Sequence, residues 1–209
     1  MTKRAFDLVL ATVGLIVLSP VLLAIAVWVR IDSPGPALFR QERVGRHGRP
    51  FTMLKFRTMR AEPSAAPSLL TLAADPRITR AGRLLRRTKL DELAQLLNVV
   101  RGEMSLVGPR PEVARYVALY PPAIRATVLS VRPGITDYAA LAFRDESSLL
   151  SSGDSEAIYV STILPRKLEL YQRYVADQSL RTDIRLILLT LRALVRRDAA
   201  DPPDAPGAS

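Results

Sequence analysis

The segment from Leu8 to Val29, LVLATVGLIVLSPVLLAIAVWV, contains no charged side chain over 22 residues. As a helix it would be about 33 Å long, enough to cross the hydrocarbon core of a bilayer. Ser19 and Pro20 lie near its middle, and a proline inside a helix removes a hydrogen bond and forces a kink or a break. The segment therefore predicts a membrane helix that is bent or broken at Ser19-Pro20.

Positive charges flank this segment on both sides. Lys3 and Arg4 precede it, and several arginines follow it within residues 30–49: Arg30, Arg40, Arg43, Arg46 and Arg49. Because basic residues mark the cytoplasmic side of a membrane, both ends are expected there. A helix that enters one leaflet, bends at Ser19-Pro20 and returns would satisfy this pattern. A single tilted and kinked helix that crosses the bilayer explains it equally well.

Composition limits the chemistry that the chain can perform. The chain has 209 residues, and 30 Lys and Arg against 20 Asp and Glu give a formal net charge of +10. This charge favours a polyanionic partner: nucleic acid, anionic lipid or a phosphorylated substrate. There is no cysteine, and the single histidine, His47, lies in a Gly-Arg-His-Gly stretch typical of a hairpin tip. Catalysis must therefore use carboxylates, arginines and lysines rather than thiolates or a Ser-His-Asp triad.

Turn signals divide the rest of the chain. The cluster DSPGP at residues 32–36 should end the membrane helix, and residues 37–41 and 50–56 predict a β-hairpin. Residues 61–74 predict a surface loop. Leu180 to Arg197 forms a basic amphipathic pattern, typical either of a helix in a membrane interface or of an ordinary surface helix packed on the core.

The stretch Thr88-Lys89-Leu90-Asp91 has the pattern of a capping box and predicts a helix that ends at Gly102. On that helix the apolar residues share one side, and Asp91, Glu92, Gln95 and Asn98 share the other. The adjacent carboxylates Asp91 and Glu92 therefore lie on a polar face. GPRP at residues 108–111 and RPGIT at residues 132–136 predict rigid loops.

Few other acids compete with Asp91 and Glu92, and basic residues occur in turn-rich segments around them: Lys55, Arg57, Arg86, Arg87, Arg110 and Arg132. Phosphoryl transfer needs a divalent cation, arginines or both to stabilise negative charge. One carboxylate could hold Mg²⁺ while the other attacks phosphorus, since an ionised carboxylate needs no general base. From the motif alone, two acids that complement a helix dipole are the more common explanation.

The order of the motifs adds information that no single motif carries. They are KRAFD at 3–7, SP at 19–20, DSPGP at 32–36, QERVG at 41–45, KFRTM at 55–59, RIT at 77–79, LDEL at 90–93, QLLNV at 95–99, MSLVGPRPE at 104–112 and RPGIT at 132–136. From about Lys3 to Arg197 this set resembles the bacterial sugar transferases, specifically the small monotopic phosphoglycosyl transferases.

The resemblance implies an α+β fold that is mainly helical. It implies a re-entrant membrane helix over residues 1–31 with Ser19 and Pro20 at its bend. A cytoplasmic catalytic domain over residues 32–197 would follow, with a small antiparallel sheet and surface amphipathic helices. Residues 198–209, rich in Pro, Ala and Asp, predict a disordered tail. The protein would be monotopic in the bacterial inner membrane and face the cytoplasm.

The resemblance also implies a ping-pong reaction. Asp91 would attack the sugar-linked phosphorus of a UDP-sugar and release UMP, leaving a phosphosugar-aspartate intermediate that polyprenol (undecaprenol) phosphate then displaces. Glu92 would be a ligand of the Mg²⁺ cofactor. Arg110, and next Arg86, would contact the nucleotide or diphosphate, and Lys55, Arg57 and Arg132 are further substrate-binding candidates.

One stretch departs from the family pattern. After RPGIT many members continue with glycine and an AQVNGR-like segment, whereas this chain has DYAALAFRDE at residues 137–146. The departure bears on the identity of the sugar. The short chain resembles members that use UDP-linked N-acetylated amino or deoxyamino sugars.

Two alternative functions are considered. The first is a hexose-1-phosphate transferase that uses UDP-glucose or UDP-galactose. The second, from another class, is a membrane-tethered nucleic-acid-binding or scaffold protein. As a transferase, the chain is not expected to bind nucleic acid.

Overall fold

The computed structural model describes residues 2–60, 75–144 and 155–195. These residues are mainly helical, with one antiparallel hairpin and one parallel strand pair. The predicted mainly helical fold with a small antiparallel sheet is thereby confirmed. The predicted surface loop at residues 61–74 and the predicted tail at residues 198–209 lie outside the described residues.

Helix α1 runs from Thr2 to Asp32 without interruption. The helix is therefore not interrupted at Ser19-Pro20, and the predicted bend there stays a prediction. Pro20 has no N–H to donate to the carbonyl of Ile16, four residues earlier. The Ser19 hydroxyl donates to that same carbonyl at 2.8 Å. The serine thus replaces the hydrogen bond that the proline removes, and the helix continues.

One face of α1 packs on the rest of the protein along the whole helix. The residues turned inward recur every three or four positions, as on one side of a helix: Asp7, Ala11, Leu15, Leu18, Leu22, Ile25 and Val29. The first half packs with Met53, Leu96 and Val99, and the second half with Leu54, Phe56 and Leu85. The opposite face is apolar and exposed and includes Val13, Val17, Leu23, Val27 and Ile31.

The N-terminal end of α1 is fixed by charged side chains. Arg4 donates to the carbonyls of Val99 (2.6 Å) and Val100 (3.0 Å). Lys3 Nζ donates to the carbonyl of Val107 (3.2 Å) and forms a 2.5 Å ion pair with Asp183. The motif at residues 3–7 therefore attaches the start of α1 to distant parts of the chain.

The C-terminal end of α1 is held by Arg57. This buried guanidinium donates to the carbonyls of Val29 (3.3 Å), Ser33 (2.7 Å) and Pro34 (2.6 Å). Carbonyls at the end of a helix lack helical partners, and a cation there also complements the helix dipole. Both ends of α1 are thus bonded to the same folded unit.

The predicted hairpin is confirmed. Strand β1 (Leu38–Val44) pairs antiparallel with β2 (Pro50–Phe56), with Leu38 opposite Phe56 and Val44 opposite Pro50. A 3₁₀ turn at Arg46–Gly48 forms the tip and includes His47, as predicted.

Helix α2 (Arg80–Thr88) is followed by a 3₁₀ helix (Leu90–Gln95) and then by α3 (Leu96–Arg101). The predicted capping box is wrong, because Thr88 is the last residue of α2 and its hydroxyl donates backwards to the carbonyl of Leu84 at 2.8 Å. Lys89, in a left-handed conformation, separates the two helices (φ 56°). The predicted end at Gly102 is confirmed (φ 83°).

Strand β3 (Ser105–Val107) pairs in parallel with β4 (Gly134–Thr136). The stretch predicted as a loop at residues 132–136 therefore contains a strand. Gly108 N donates to the carbonyl of Thr136, and Gly134 N donates to the carbonyl of Pro109, both at 3.0 Å. This pairing joins the GPRP and RPGIT motifs of the sequence directly.

The remaining helices complete the domain. They are α4 (Ala114–Val117), α5 (Pro122–Val128), α6 (Tyr138–Ala142), α7 (Ser155–Ile158), a π-helical turn (Tyr159–Ile163), α8 (Leu164–Asp177) and α9 (Leu180–Val195). Helices α4, α5 and α8 enclose a core cluster rich in tyrosine. In α9, Asp183 and Leu186 are buried, whereas Ile184, Leu188 and Leu191 are exposed. The predicted amphipathic helix is confirmed over these residues.

Candidate active site

The 3₁₀ helix and α3 together turn their polar side toward the interior of the protein. Asp91, Gln95 and Asn98 are 8 %, 1 % and 0 % exposed, respectively. Strand β2 packs against this segment, and Leu54 N donates to the Asn98 side chain at 3.0 Å. The predicted polar face exists, but it is a buried face rather than a solvated one.

Glu92 is bound by two cations. Arg110 donates to both of its carboxylate oxygens, and Lys55 Nζ lies 3.1 Å from Oε1. Burial alone would raise the pKa of Glu92, but the charges of Arg110 and Lys55 outweigh burial and hold the pKa well below its usual range. The two cations therefore favour the ionised form of Glu92 and hold its carboxylate in place.

Asp91 lies in a different environment from the adjacent Glu92. Its Oδ1 is buried and has no hydrogen-bond partner among the described residues. Burial raises the pKa of Asp91, and the charge of Lys55 opposes this only in part. Of two adjacent carboxylates, one is thus neutralised by cations and the other is desolvated without a partner. A desolvated, unpaired carboxylate is a reactive nucleophile.

The loop that carries Arg110 is fixed from several sides. Its backbone N–H donates to Asp137 at 3.3 Å, while Asp137 also caps α6 by accepting from Ala140 N at 2.6 Å. Arg43 donates to the carbonyl of Pro111 and to Glu112, both at 3.2 Å. Burial raises the pKa of Asp137 to about 6, although these backbone N–H groups favour its ionised form. The guanidinium is thereby presented to Glu92 from a rigid loop.

The structure brings some predicted site residues together and not others. Asp91, Glu92, Lys55 and Arg110 form one cluster. Arg57 holds the end of α1, and Arg132 Nε donates to the carbonyl of Gly102 at 2.8 Å. Their placement favours structural roles over the predicted contact with substrate.

Arg86 lies in the last turn of α2. Within the described residues it forms no hydrogen bond or ion pair with either carboxylate of the cluster. Its predicted contact with the nucleotide stays a prediction.

Sequence reasoning missed several residues of the site. Lys89 accepts from Glu92 N through its carbonyl at 3.2 Å, and its charge acts on both carboxylates. Asp137 lies in the stretch that departs from the family pattern. The sequence pattern puts Gln95 on the polar face but indicates no role for it. Gln95 and Lys89 lie close to the carboxylate pair in the sequence, and this closeness could have identified them as site residues.

The donor set suits a hard divalent cation. In residues 2–60, 75–144 and 155–195 no group of three or more His, Asp or Glu side chains could enclose a metal ion. Mg²⁺, however, is commonly held by one or two carboxylates together with substrate phosphates and water. The Glu92 carboxylate fits such a half-site, because its Oε2 accepts one hydrogen bond from Arg110 and keeps a lone pair for a cation.

Comparisons with known proteins show the family of the chain. The family model described as bacterial sugar transferase matches residues 1–197. The chain is 38 % identical over 192 residues (90 % of this chain, 39 % of the relative) to the UDP-glucose:undecaprenyl-phosphate glucose-1-phosphate transferase of Escherichia coli (strain K12). It is 38 % identical over 193 residues (92 % of this chain, 87 % of the relative) to the sugar transferase EpsL of Bacillus subtilis (strain 168).

A third relative is named for a different sugar. The UDP-N-acetylgalactosamine-undecaprenyl-phosphate N-acetylgalactosaminephosphotransferase of Aeromonas hydrophila is 33 % identical over 195 residues (92 % of this chain, 43 % of the relative). The chain therefore spans about two fifths of the length of the E. coli and Aeromonas relatives.

Proposed function

The chain belongs to the bacterial sugar transferase family, and we propose that it transfers a sugar 1-phosphate from a UDP-sugar to undecaprenyl phosphate with release of UMP. The observation that carries this proposal is the unequal environment of Asp91 and Glu92. Phosphoryl transfer through a covalent intermediate needs one carboxylate that is free to attack and a charged environment that stabilises the phosphates. The unpaired oxygen of Asp91 and the cations Lys55 and Arg110 beside Glu92 support both requirements.

The proposed reaction has two displacement steps at one phosphorus atom. An oxygen of Asp91 first attacks the phosphorus that is bonded to the sugar, and the electron pair of the broken P–O bond leaves with UMP. An oxygen of undecaprenyl phosphate then attacks the same phosphorus, and the Asp91 carboxylate is regenerated. Both attacking groups are anions, so neither step needs a general base. A site without histidine is sufficient for this chemistry.

Arg110 and Lys55 are proposed to face the diphosphate while they hold Glu92. A guanidinium has five N–H donors, so Arg110 can bind a carboxylate and contact a phosphate oxygen at the same time. Glu92, beside Asp91, would hold the Mg²⁺ ion. When bound, the ion would neutralise part of the negative charge of the diphosphate.

The test of this function is UMP release by the purified protein with Mg²⁺ and undecaprenyl phosphate. The sugar panel contains UDP-GlcNAc, UDP-GalNAc, a UDP-linked N-acetylated deoxyamino sugar, UDP-glucose and UDP-galactose. We expect UMP rather than UDP, with repeated turnover that needs lipid phosphate and is lost with EDTA. Without lipid phosphate, UMP should not exceed one per protein, as a covalent intermediate requires. The panel decides between the predicted N-acetylated sugar and the hexose alternative, since relatives are named for both glucose and N-acetylgalactosamine.

Two outcomes would contradict the proposal. UDP release would indicate a glycosyl transfer that leaves the phosphate behind. No consumption of any sugar, together with salt-sensitive binding of nucleic acid, would favour the nucleic-acid-binding alternative.

For the membrane arrangement, we propose that α1 enters one leaflet and keeps both of its ends at the cytoplasmic face. Helix α1 is long and apolar enough to cross a bilayer by length and composition. Both of its ends, however, are bonded to one folded unit, and its exposed apolar face would lie against lipid. The exposed leucines of α9, flanked by Arg181, Arg185 and Arg192, would lie in the interface.

Single cysteines test this topology, because the chain has no cysteine of its own. Thr2→Cys and Arg30→Cys place a thiol at exposed positions near each end of α1. We expect a membrane-impermeant maleimide to label neither variant in intact bacteria and both after lysis, with a periplasmic cysteine protein as the positive control. Labelling of Thr2→Cys in intact cells would show that α1 crosses the membrane.

A further inference from the structure

Two side chains of the 3₁₀ helix each carry a buried polar atom that has no hydrogen-bond partner among the described residues. The two atoms are Asp91 Oδ1 and Gln95 Nε2. Buried polar groups in folded proteins are nearly always paired, and an unpaired one lowers stability. An unpaired acceptor and an unpaired donor within one short segment indicate a hydrogen bond that is made in another state of the site.

Asn98 shows how a structural amide is held in the same region. It lies three residues after Gln95 and is equally buried. Its side chain accepts from Leu54 N (3.0 Å) and donates to the carbonyl of Thr52 (2.7 Å) and to Glu103 (2.6 Å). Gln95 has no such bond within the described chain, so hydrogen bonding to the scaffold does not explain its amide.

The cations of the site do not supply the missing hydrogen bond to Asp91. Lys55 and Arg110 both bind Glu92 and form no hydrogen bond with Asp91 in the described residues. Gln95 is four residues from Asp91 in a helical segment, both side chains face the interior, and a glutamine side chain can adopt several rotamers. A neutral donor and an unpaired acceptor thus lie four residues apart in the same buried segment.

Building on the proposed function, we propose that Gln95 is a positioning residue for Asp91, whose amide donates to Oδ1 when substrate is bound. This bond fixes the carboxylate and leaves Oδ2 as the oxygen that attacks phosphorus. When the Oδ2–P bond has formed and the bond to UMP has broken, Oδ1 is the carbonyl oxygen of an acyl phosphate.

The same donor acts again in the second displacement. Undecaprenyl phosphate forms its bond to phosphorus, the Oδ2–P bond breaks, and its electron pair returns to the Asp91 carboxylate. A donor on Oδ1 stabilises the negative charge that develops there. Gln95 therefore orients Asp91 as the nucleophile in the first step and stabilises it as the leaving group in the second, without exchanging a proton.

Gln95→Met tests this inference, because methionine has a similar length and no donor. We expect kcat for UMP release to fall about 10- to 100-fold, as for loss of a hydrogen bond to a charged group. The KM for the UDP-sugar should stay unchanged, since the amide contacts Asp91 rather than substrate. The midpoint of thermal unfolding should not fall, because an unpaired buried group is removed.

Asn98→Leu is the matched control, since it removes an amide whose bonds are all made within the protein. We expect this variant to unfold at a clearly lower temperature. An active parent whose Gln95→Met variant keeps its kcat would overturn the inference and leave the proposed function intact. A Gln95→Met variant that loses stability but keeps kcat per folded molecule would also overturn it, by making Gln95 a structural amide. A parent that releases no UMP from any sugar would overturn the proposed function and this inference with it.

Discussion

Replacement of Asp91 by asparagine is expected to lower UMP release by at least about 10³-fold, because the covalent route loses its nucleophile. The amide keeps the shape of the carboxylate, so the arrangement of Glu92, Lys55 and Arg110 should survive. Turnover of each active UDP-sugar is compared between the parent and Asp91→Asn. A variant as active as the parent would show that the nucleophile is elsewhere.

The same substitution is expected to stabilise the fold. The folded state raises the pKa of Asp91, which means that its ionised form is less favourable in the folded protein than in the unfolded chain. At neutral pH the ionised Asp91 therefore destabilises the parent, whereas the neutral amide of Asp91→Asn does not. We expect the free energy of unfolding of the variant to be higher by about 1 kcal/mol. The gain should shrink as the pH falls through the folded pKa, since Asp91 then becomes protonated in the parent.

Glu92→Gln is the matched control for the stability measurement. This substitution leaves Lys55 and Arg110 close together without the carboxylate that neutralises them, so it should destabilise the fold. Thermal unfolding of the three proteins at several pH values tests the contrast. A loss of stability in Asp91→Asn similar to that of Glu92→Gln would contradict the assignment of Asp91 as the strained member of the pair.

Gly134→Ala is expected to have the second large effect, through the contact between β3 and β4. A methyl group at Gly134 would lie 2.0 Å from the nitrogen and 2.5 Å from the carbonyl oxygen of Gly108. Both atoms are backbone and cannot rotate away, so the strands must separate. We expect a cost of about 3 kcal/mol in the free energy of unfolding.

Activity should fall as well, because Arg110 is two residues from Gly108. A shift of its loop by about 1 Å can lower the rate about 10²-fold. Gly48→Ala is the control: a methyl group there meets nothing within 4 Å, and the positive φ of 76° costs only about 1 kcal/mol. Urea unfolding and UMP release are measured for both variants. Equal stability of the two variants would show that the close approach at Gly134 is not a constraint.

Local sequence signals predicted much of the fold. The alternation in residues 37–41 and 50–56 predicted the hairpin, and the 22 uncharged residues after Asp7 predicted the long helix. Gly102 predicted the end of a helix because a left-handed residue is needed there. Such features depend on residues close in sequence, which is why they can be read without a structure.

Features that depend on distant residues could not be predicted. The capping box failed because Lys89 ends α2 and opens a 3₁₀ helix, an arrangement set by packing against β2. On the polar face of this segment, Lys55 and Arg110 pair with Glu92, and the backbone of β2 pairs with Asn98. These partners are distant in sequence, so the burial of this face could not be predicted. The charge of Arg57 favours a place in the site, whereas its bonds go to the end of α1 and the two residues after it, 23 to 28 residues earlier.

The ion pair between Lys3 and Asp183 has a consequence for biogenesis, since it joins residues 180 positions apart. At 5–20 residues per second, translation of that interval takes roughly 10–40 s. During this time α1 has left the ribosome, but the surfaces that cover its inner face have not all been made. Exposed apolar surface of this kind aggregates in water, whereas a bilayer shelters it. Insertion of α1 is therefore expected to precede folding of the catalytic domain, which then closes onto a helix already held by lipid.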